Sequence, residues 1–288
     1  MENNEILMGA PGENAVSGKA GGGRNGEPAG RPNVLVIAGY DQCGGAGVLA
    51  DVKTLEVHGV YAYAVCTAIT FQNERTISRV KWMTEEEIAE QIDLCFQSEK
   101  FDWVKIGIGR SAAMIGAIVR QLRMYQPDIN IILDPVIKAS SGKDFWEGVD
   151  LLTFEALAAE AYLITPNWEE IGWLYPGRDV LESCRQLSLS APCRLYLKGG
   201  HDPGHPGRDY LWYKGEALVL EPDKGIGPVY PKHGSGCVLA SALTANLSLG
   251  YPLEEAAVRA KRYIERFLTS NKTLLGWHGM PGSVNYSS

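Results

Sequence analysis

Several patterns that identify common protein classes are missing from this sequence. No apolar run is long enough to cross a membrane, and nothing near the N-terminus resembles a secretory hydrophobic segment, so we expect a cytoplasmic protein. No Lys/Arg cluster is present, and the net charge of −7 argues against nucleic acid as a partner. An acidic protein that binds a phosphorylated ligand must use local positive side chains and a metal ion.

The standard nucleotide motifs and the cysteine pairs of zinc sites are also missing. The glycine-rich segment 39–47 is neither a Walker A sequence nor a GxGxxG fingerprint. The cysteines form no CxxC pair, which predicts reduced thiols and argues against a zinc site. They are Cys43, Cys66, Cys95, Cys184, Cys193 and Cys237.

The pattern that is present is typical of one doubly wound α/β domain. Strand and helix patterns alternate about six times without a break in composition. The predicted strands are Val34–Ala38, Ala62–Phe71, Trp103–Ile108, Ile129–Asp134, Ala161–Thr165 and Arg194–Leu197. The predicted helices include Val48–His58, Glu85–Gln97, Ala112–Tyr125, Val149–Ala159, Leu181–Leu189 and Leu253–Leu268. We predict a mainly parallel sheet with helices on both faces and an edge hairpin from Asp209–Tyr213 and Ala217–Leu220.

The two ends of the chain are predicted to lie outside this domain, which we place at residues 33–270. Residues 1–32 contain three consecutive glycines and few large apolar side chains, so they cannot offset their ordering entropy and should form a flexible tail. Residues 271–288 are expected to form a C-terminal tail that packs on the domain or trails it.

Polar and glycine residues follow the first predicted strands. Gly39 opens a loop flanked by Asp41 and Asp51, which could fix a polar ring; the alternative is a tight connection. Gln72 follows the second strand, where its amide could recognise a heterocycle or simply lie exposed. Asp134 ends the fourth strand, either as a metal ligand or as a turn or N-cap residue.

The next two strands are followed by a second polar group. Asn167 with Glu170 three residues later is a capping-box pattern, which would explain the pair fully, yet both residues again follow a strand. Lys198 precedes Gly199 and Gly200. A lysine beside glycines suits a phosphate, and the alternative is an exposed turn.

Three small residues, Gly234, Ser235 and Gly236, precede Cys237 at the start of a predicted helix. Unpaired N–H groups and the helix dipole make such a start suitable for an anion and should favour the Cys237 thiolate near neutral pH. The alternative is a closely packed helix start with a buried, inert cysteine. Because all these candidates fall at one end of the predicted sheet, we predict one shared site.

Seven segments resemble, in order and spacing, the hydroxymethylpyrimidine/phosphomethylpyrimidine kinases of the ribokinase-like superfamily. They are 38–54 (AGYDQCGGAGVLADVKT), 70–73 (TFQN), 105–107 (KIG), 133–136 (LDPV), 164–170 (ITPNWEE), 197–201 (LKGGH) and 233–237 (HGSGC). The resemblance implies a three-layer α/β/α kinase domain that phosphorylates 4-amino-5-hydroxymethyl-2-methylpyrimidine, its monophosphate or both in thiamine biosynthesis. It also implies ATP with Mg²⁺ and a homodimer, and it leaves open a monovalent cation.

The resemblance assigns one group of residues to the alcohol substrate. Gly39, Asp51 and Gln72 match pyrimidine-binding positions. Ile108 and Val136 match the apolar walls of that pocket.

A second group is assigned to the nucleotide. Asp134 and Glu170 match positions near Mg²⁺. Asn167, Lys198 and Gly200 match positions near the ATP phosphates.

The loop that leads into the predicted helix at Cys237 is assigned to catalysis. Gly234–Gly236 match the anion hole, and Cys237 matches the base that takes the proton of the hydroxymethyl group. The sequence departs from the family at Tyr40–Cys43, where Ser/Thr-Asp-Pro-Ser is usual, and at Ser235, where threonine is usual.

Two alternative functions stay open at this point. Pyridoxal kinases with the same Gly-x-Gly-Cys ending perform the same chemistry on another ring, although Gln72 favours an aminopyrimidine. A non-catalytic ligand-binding relative is the other, and the intact Cys237, Lys198 and Glu170 argue against it.

Overall fold

The central element is a sheet with nine strands in the part of the chain that the structure describes. A computed structural model describes residues 30–138, 145–146, 151–191 and 193–279. The strands are β1 (Asn33–Asp41), β2 (Tyr61–Gln72), β3 (Ile77–Trp82), β4 (Trp103–Ile106), β5 (Asn130–Leu133), β6 (Leu163–Ile164), β7 (Arg194–Leu197), β8 (Asp209–Tyr213) and β9 (Glu216–Leu220). Their spatial order is β3-β2-β1-β4-β5-β6-β7-β8-β9.

Helices connect most of the parallel strands, as β-α-β crossovers require. They are α1 (Gly47–Val57), α2 (Glu85–Ser98), α3 (Ala112–Tyr125), α4 (Leu151–Glu160), α5 (Trp168–Leu174), α6 (Val180–Ser190), α7 (Ser235–Ser248) and α8 (Leu253–Thr269). The bounds of α3 and β7 are those predicted from the sequence.

The middle of the sheet is parallel and its two edges are antiparallel. Strands β1, β2, β4, β5, β6 and β7 pair in parallel. The hairpin of β8 and β9 extends the sheet beyond β7, as predicted. The edge strand β3, which pairs antiparallel with β2, was not predicted from the sequence. All six of its residues are half-buried or exposed, so it lacks the buried apolar run by which central strands are recognised.

The two faces of β1 show why the fold has three layers. Leu35 and Ile37 belong to the core cluster that includes side chains of α2 and α3. Val34 and Val36 pack in the opposite cluster with α1 and with Ala245 of α7. Since successive side chains of a strand point to opposite faces, a strand buried on both sides must be covered by helices on both sides. The predicted α/β/α architecture is confirmed.

Local capping signals position several helices. The Thr84 hydroxyl accepts from the Glu87 N–H at 3.1 Å and the Glu87 carboxylate accepts from the Thr84 N–H at 2.8 Å, so the predicted capping box starts α2. Strand β6 contains only Leu163–Ile164 and is shorter than predicted. Residues 1–29 and 139–144, and the predicted helix start at 149–150, lie outside the described residues.

The described part of the C-terminal segment contacts the loop that precedes α7. Lys232 Nζ donates to the Thr273 carbonyl at 2.6 Å, and the His233 N–H donates to the Leu274 carbonyl at 2.8 Å. The described residues from Arg31 onward group into one compact unit. Among the described helices, none combines the length and apolar character needed to cross a membrane.

Candidate active site

The glycine-rich loop after β1 is packed so closely that side chains are excluded from it. A Cβ on Gly47, which has φ of +58°, would lie 2.0 Å from the Gly39 carbonyl oxygen. A Cβ on Gly39 would lie 2.8 Å from Cγ2 of Ile108. The pairing of β1 with β2 also shifts register between Ala38 and Tyr40, at Gly39. These glycines bring the loop backbone to the carboxyl end of the sheet.

The turn before α7 packs against this loop. Gly234 has φ of +74°, and a Cβ there would lie 2.0 Å from the Gly45 carbonyl oxygen. A Cβ on Gly236 would lie 3.2 Å from Nζ of Lys198. Ser235 is the first residue of α7, and its N–H donates to the Lys232 carbonyl at 3.4 Å. The N–H groups that follow it in the first turn can bind an anion. The structure therefore brings together the two glycine motifs and the lysine that follows β7.

A contact between Asp41 and His233, which was not predicted from the sequence, joins the two loops. His233 Nε2 lies 3.0 Å from Oδ2 of Asp41. The same oxygen accepts from the Ala46 N–H at 2.9 Å and from the Cys43 thiol at 3.1 Å. Burial opposes ionisation of Asp41, but these hydrogen bonds outweigh it and lower the pKa to about 2. Asp41 thus fixes the loop conformation.

A buried ion pair lies between the first helix and the central sheet. Lys105 Nζ on β4 is 2.8 Å from Oδ2 of Asp51 on α1, and neither side chain is exposed. The Ser241 hydroxyl donates to the other Asp51 oxygen at 2.7 Å. Burial alone would lower the pKa of Lys105, but the negative charge of Asp51 raises it and the ammonium persists.

Lys105 was missed as a functional residue, although a lysine inside an apolar strand is a recognisable signal. Asp51, predicted to bind the substrate ring, is enclosed by Lys105 and Ser241 in this structure. Its contact with a substrate stays a prediction.

Asp134 and Lys198 form the second ion pair of the site. Lys198 Nζ lies 2.7 Å from Oδ1 of Asp134, which also accepts from the Thr165 hydroxyl at 3.2 Å. The other Asp134 oxygen, Oδ2, is buried without a hydrogen-bond partner. A buried carboxylate oxygen left unpaired costs free energy, and carboxylate oxygens are preferred ligands of Mg²⁺. The donor set at this position fits a magnesium ion.

Glu170 caps α5 and also interacts with this ion pair. Its carboxylate accepts from the Asn167 N–H at 2.8 Å and the Asn167 side chain accepts from the Glu170 N–H at 2.8 Å. Burial raises the pKa of Glu170 to about 7, and the charge of Asp134 adds to this while Lys198 opposes it. The capping interpretation is confirmed, and the same side chain lies among the charges of the candidate site.

The protonation state of Cys237 differs from the one predicted. Burial raises the pKa of its thiol to about 11, and the positive charge of Lys105 only partly opposes this. The expectation that the helix start would favour the thiolate was wrong, because desolvation and the nearby Asp51 and Asp134 outweigh the Lys105 charge and the hydrogen bond with the Gly47 backbone. The ligand-free thiol is protonated near neutral pH.

The other predicted residues lie around these groups. Gln72 is the half-buried last residue of β2 and pairs with Ile77 of β3, two residues after Thr70, which pairs with Asp41 of the glycine loop. Ile108 is buried and Val136 is half-buried against the same core cluster. Gly200 lies in the turn after Lys198, and a Cβ there would meet no atom within 4 Å.

Comparisons with known proteins identify the family. The family described as Phosphomethylpyrimidine kinase matches residues 41–282. A hydroxymethylpyrimidine/phosphomethylpyrimidine kinase of Rhizobium meliloti is 36% identical over 245 residues, which cover 82% of this chain and 90% of that protein. A bifunctional thiamine biosynthesis protein of Geobacter sulfurreducens is 35% identical over 261 residues, 88% of this chain and 52% of the relative. The chain thus spans about half the length of that fused relative.

Solved structures agree with this assignment. A crystal structure of phosphomethylpyrimidine kinase from Clostridium difficile 630 superposes with a TM-score of 0.69 at 32% identity, covering 81% of this chain and 98% of that one. A pyridoxal kinase of Bacillus subtilis, as an ADP complex, gives a TM-score of 0.69 at 26% identity and covers 83% and 92% of the two chains. Since both the family match and the Rhizobium relative span most of the sequence, the chain belongs to the phosphomethylpyrimidine kinase family of phosphotransferases.

Proposed function

We propose that this protein transfers the γ-phosphoryl group of ATP to the hydroxymethyl group of 4-amino-5-hydroxymethyl-2-methylpyrimidine, to the phosphate of its monophosphate, or to both. The observation that carries the proposal is the position of Lys198. Its ammonium donates a hydrogen bond to Asp134. It also lies 3.2 Å from the point that a Cβ on Gly236 would occupy, at the start of α7. One cation thus links the carboxylate that fits Mg²⁺ to the helix start that fits a phosphoryl group.

We assign the positive side of the site to the transferring phosphoryl group. The leading N–H groups of α7 and the Lys198 ammonium would stabilise its negative charge. Asp134 and Glu170 would hold Mg²⁺, and Asn167 and Gly200 would line the ATP phosphates. When bound there, Mg²⁺ supplies positive charge to the phosphate oxygens.

The acceptor alcohol is assigned to the pocket beside the glycine loop. Gln72 would pair with the amino group and ring nitrogen of the pyrimidine, with Gly39 and Asp51 nearby and Ile108 and Val136 as apolar walls.

Cys237 is proposed as the group that receives the hydroxyl proton. Since its thiol is protonated in the free enzyme, it must first release its proton to solvent, and the Lys105 ammonium reduces the cost of forming the thiolate. The thiolate then takes the proton as the oxygen–phosphorus bond forms, which regenerates the thiol. A loose transition state needs little prior deprotonation, so this contribution is moderate.

We further propose action in the cytoplasm, because the cysteines in the described ranges are free thiols. The homodimer and a monovalent-cation requirement stay predictions.

The test compares two alcohols with one purified sample. Purified protein with ATP and Mg²⁺ is given the hydroxymethylpyrimidine or pyridoxal, and ADP and the phosphorylated product are quantified. We expect the higher kcat/KM for the pyrimidine and a selective loss of that preference in Gln72→Leu. A higher kcat/KM for pyridoxal would favour the second candidate, which the Bacillus pyridoxal kinase similarity supports. No transfer to either alcohol would overturn the kinase proposal.

A further inference from the structure

Three metal-binding side chains meet where the glycine loop contacts the turn before α7. Oδ2 of Asp41, Sγ of Cys43 and Nε2 of His233 all lie within 4.8 Å of one another. The Asp41 oxygen is central, at 3.1 Å from the sulfur and 3.0 Å from the imidazole nitrogen. None of the three belongs to the group assigned to Mg²⁺ and ATP.

The spacing of these atoms suits a tetrahedral cation. Zn–S bonds of about 2.3 Å and Zn–N and Zn–O bonds of about 2.0 Å separate neighbouring ligand atoms by roughly 3.3–3.5 Å. The two distances from Asp41 Oδ2 need to open by only a few tenths of an ångström, and the distance between the Cys43 sulfur and the His233 nitrogen, which lies within 4.8 Å, must reach the same range. Asp41 is buried, whereas Cys43 and His233 are partly exposed, so water can reach the fourth position.

We propose that Asp41, Cys43 and His233 form a binding site for a zinc-class divalent cation, separate from the magnesium site of the kinase reaction. Thiolate and imidazole select zinc-class ions over Mg²⁺, which prefers oxygen ligands. Carboxylate and thiolate together neutralise the charge of the cation. Three protein ligands with an open fourth position make this an accessible site and not a closed structural one.

Binding replaces two interactions of the metal-free cluster. The cation takes the place of the thiol proton, which passes to solvent, and the hydrogen bond from Cys43 to Asp41 becomes two metal–ligand bonds. The His233 nitrogen that faces Asp41 becomes the third ligand. A bound cation thus fastens the glycine loop to the turn before α7.

The site depends on Cys43, a residue that differs from the usual sequence of the kinase family. Cys43 occupies the position of the second serine in the usual Ser/Thr-Asp-Pro-Ser pattern of that loop. The sequence argued against a zinc site because its cysteines form no CxxC pair, a criterion that does not detect a site with a single cysteine. The fold supplies the missing ligand from His233, whose sequence separation from Asp41 is 192 residues.

The test uses the full chain after chelator treatment, without ATP or Mg²⁺. Co²⁺ is titrated first, because a thiolate ligand produces a charge-transfer absorption that Mg²⁺-type oxygen sites cannot give. Zn²⁺ then displaces the Co²⁺ and yields the affinity. Cys43→Ser restores the usual family residue and keeps a hydroxyl donor to Asp41. Cys66→Ser is the matched control, since Cys66 is also half-buried and donates its thiol hydrogen to a nearby oxygen.

We expect one saturable site in the wild type and in Cys66→Ser, with the charge-transfer band. Cys43→Ser should lose the band and bind Zn²⁺ more than about 100-fold more weakly. Removing only a residue that hydrogen-bonds to a metal ligand already lowers metal affinity by about 10–100-fold. Zn²⁺ should also raise the thermal midpoint of the first two proteins and not that of Cys43→Ser, whose midpoint without metal shows that it is folded. No saturable binding, or a band that persists in Cys43→Ser, would overturn the proposal.

Discussion

The Lys105 ammonium lies 2.8 Å from the Asp51 carboxylate, and both side chains are completely enclosed by the protein. Removing one partner of a buried ion pair leaves an uncompensated charge in a low-dielectric interior. Lys105→Met should therefore lower the free energy of unfolding by about 3–5 kcal/mol, measured by urea denaturation. The double variant Lys105→Met/Asp51→Leu removes both charges and should recover much of this loss. A single variant as stable as the wild type would contradict the buried charge pair.

The contact between the two glycine motifs should be intolerant of a methyl group. Gly234→Ala combines a positive φ with a Cβ 2.0 Å from the Gly45 carbonyl oxygen, so unfolding should be easier by about 3 kcal/mol or more, and phosphoryl transfer should fall sharply. Gly250→Ala is the matched control, because Gly250 also has positive φ but faces open space. It should cost about 1–2 kcal/mol and leave kcat unchanged. Equal effects in the two variants would show that the close contact is unimportant.

The buried Glu170 should make stability depend on pH. Its pKa is raised from 4.5 to about 7 in the folded protein, so the folded state holds a proton that the unfolded state has released between these values. The stabilising contribution is present below pH 4.5 and is lost as the pH rises through 7. Relative to Glu170→Gln, which keeps a capping oxygen, the wild type should lose on the order of 2 kcal/mol between pH 5 and pH 8. If the free energies of unfolding of the two proteins changed equally with pH, the raised pKa of Glu170 would be contradicted.

Replacement of Cys237 should affect catalysis more than binding. Cys237→Ala removes the proposed proton acceptor and should lower kcat by about 100-fold, the lower end of general-base effects, because the transition state is loose. The dissociation constant of the pyrimidine alcohol, measured calorimetrically, should stay within a few fold. Cys95→Ala, at a half-buried cysteine of α2, should retain wild-type kcat. Unchanged turnover in Cys237→Ala would remove this residue from the mechanism.

Much of the fold follows from short-range patterns. β-branched runs predicted the buried parallel strands, and the Thr84 and Asn167 capping boxes predicted two helix starts. These signals are readable because they involve residues within one turn or one strand. The edge strand β3 was missed because it buries few side chains and is defined by its pairing with β2.

The candidate site was predictable as a set of residue types, but not as a set of contacts. The sequence pointed to Asp134, Glu170, Lys198 and Cys237 because each lies at a strand end or helix start. It did not indicate that Lys198 bonds to Asp134, nor that Lys105 supports the site from within β4. Those relationships join residues far apart in the chain.

The sequence alone determined the glycine positions, the strand ends and, through its motifs, the kinase family. The tertiary structure decided which of these side chains are ionised and which of them are in contact. Cys237 stays protonated because the surrounding chain desolvates most of its thiol and places Asp51 and Asp134 near it, neither of which the sequence of its own helix start reveals. Asp41 and Cys43 meet His233 because packed glycines bring two distant loops within hydrogen-bonding distance. Desolvation and long-range contacts arise only when the sheet and its helices have assembled.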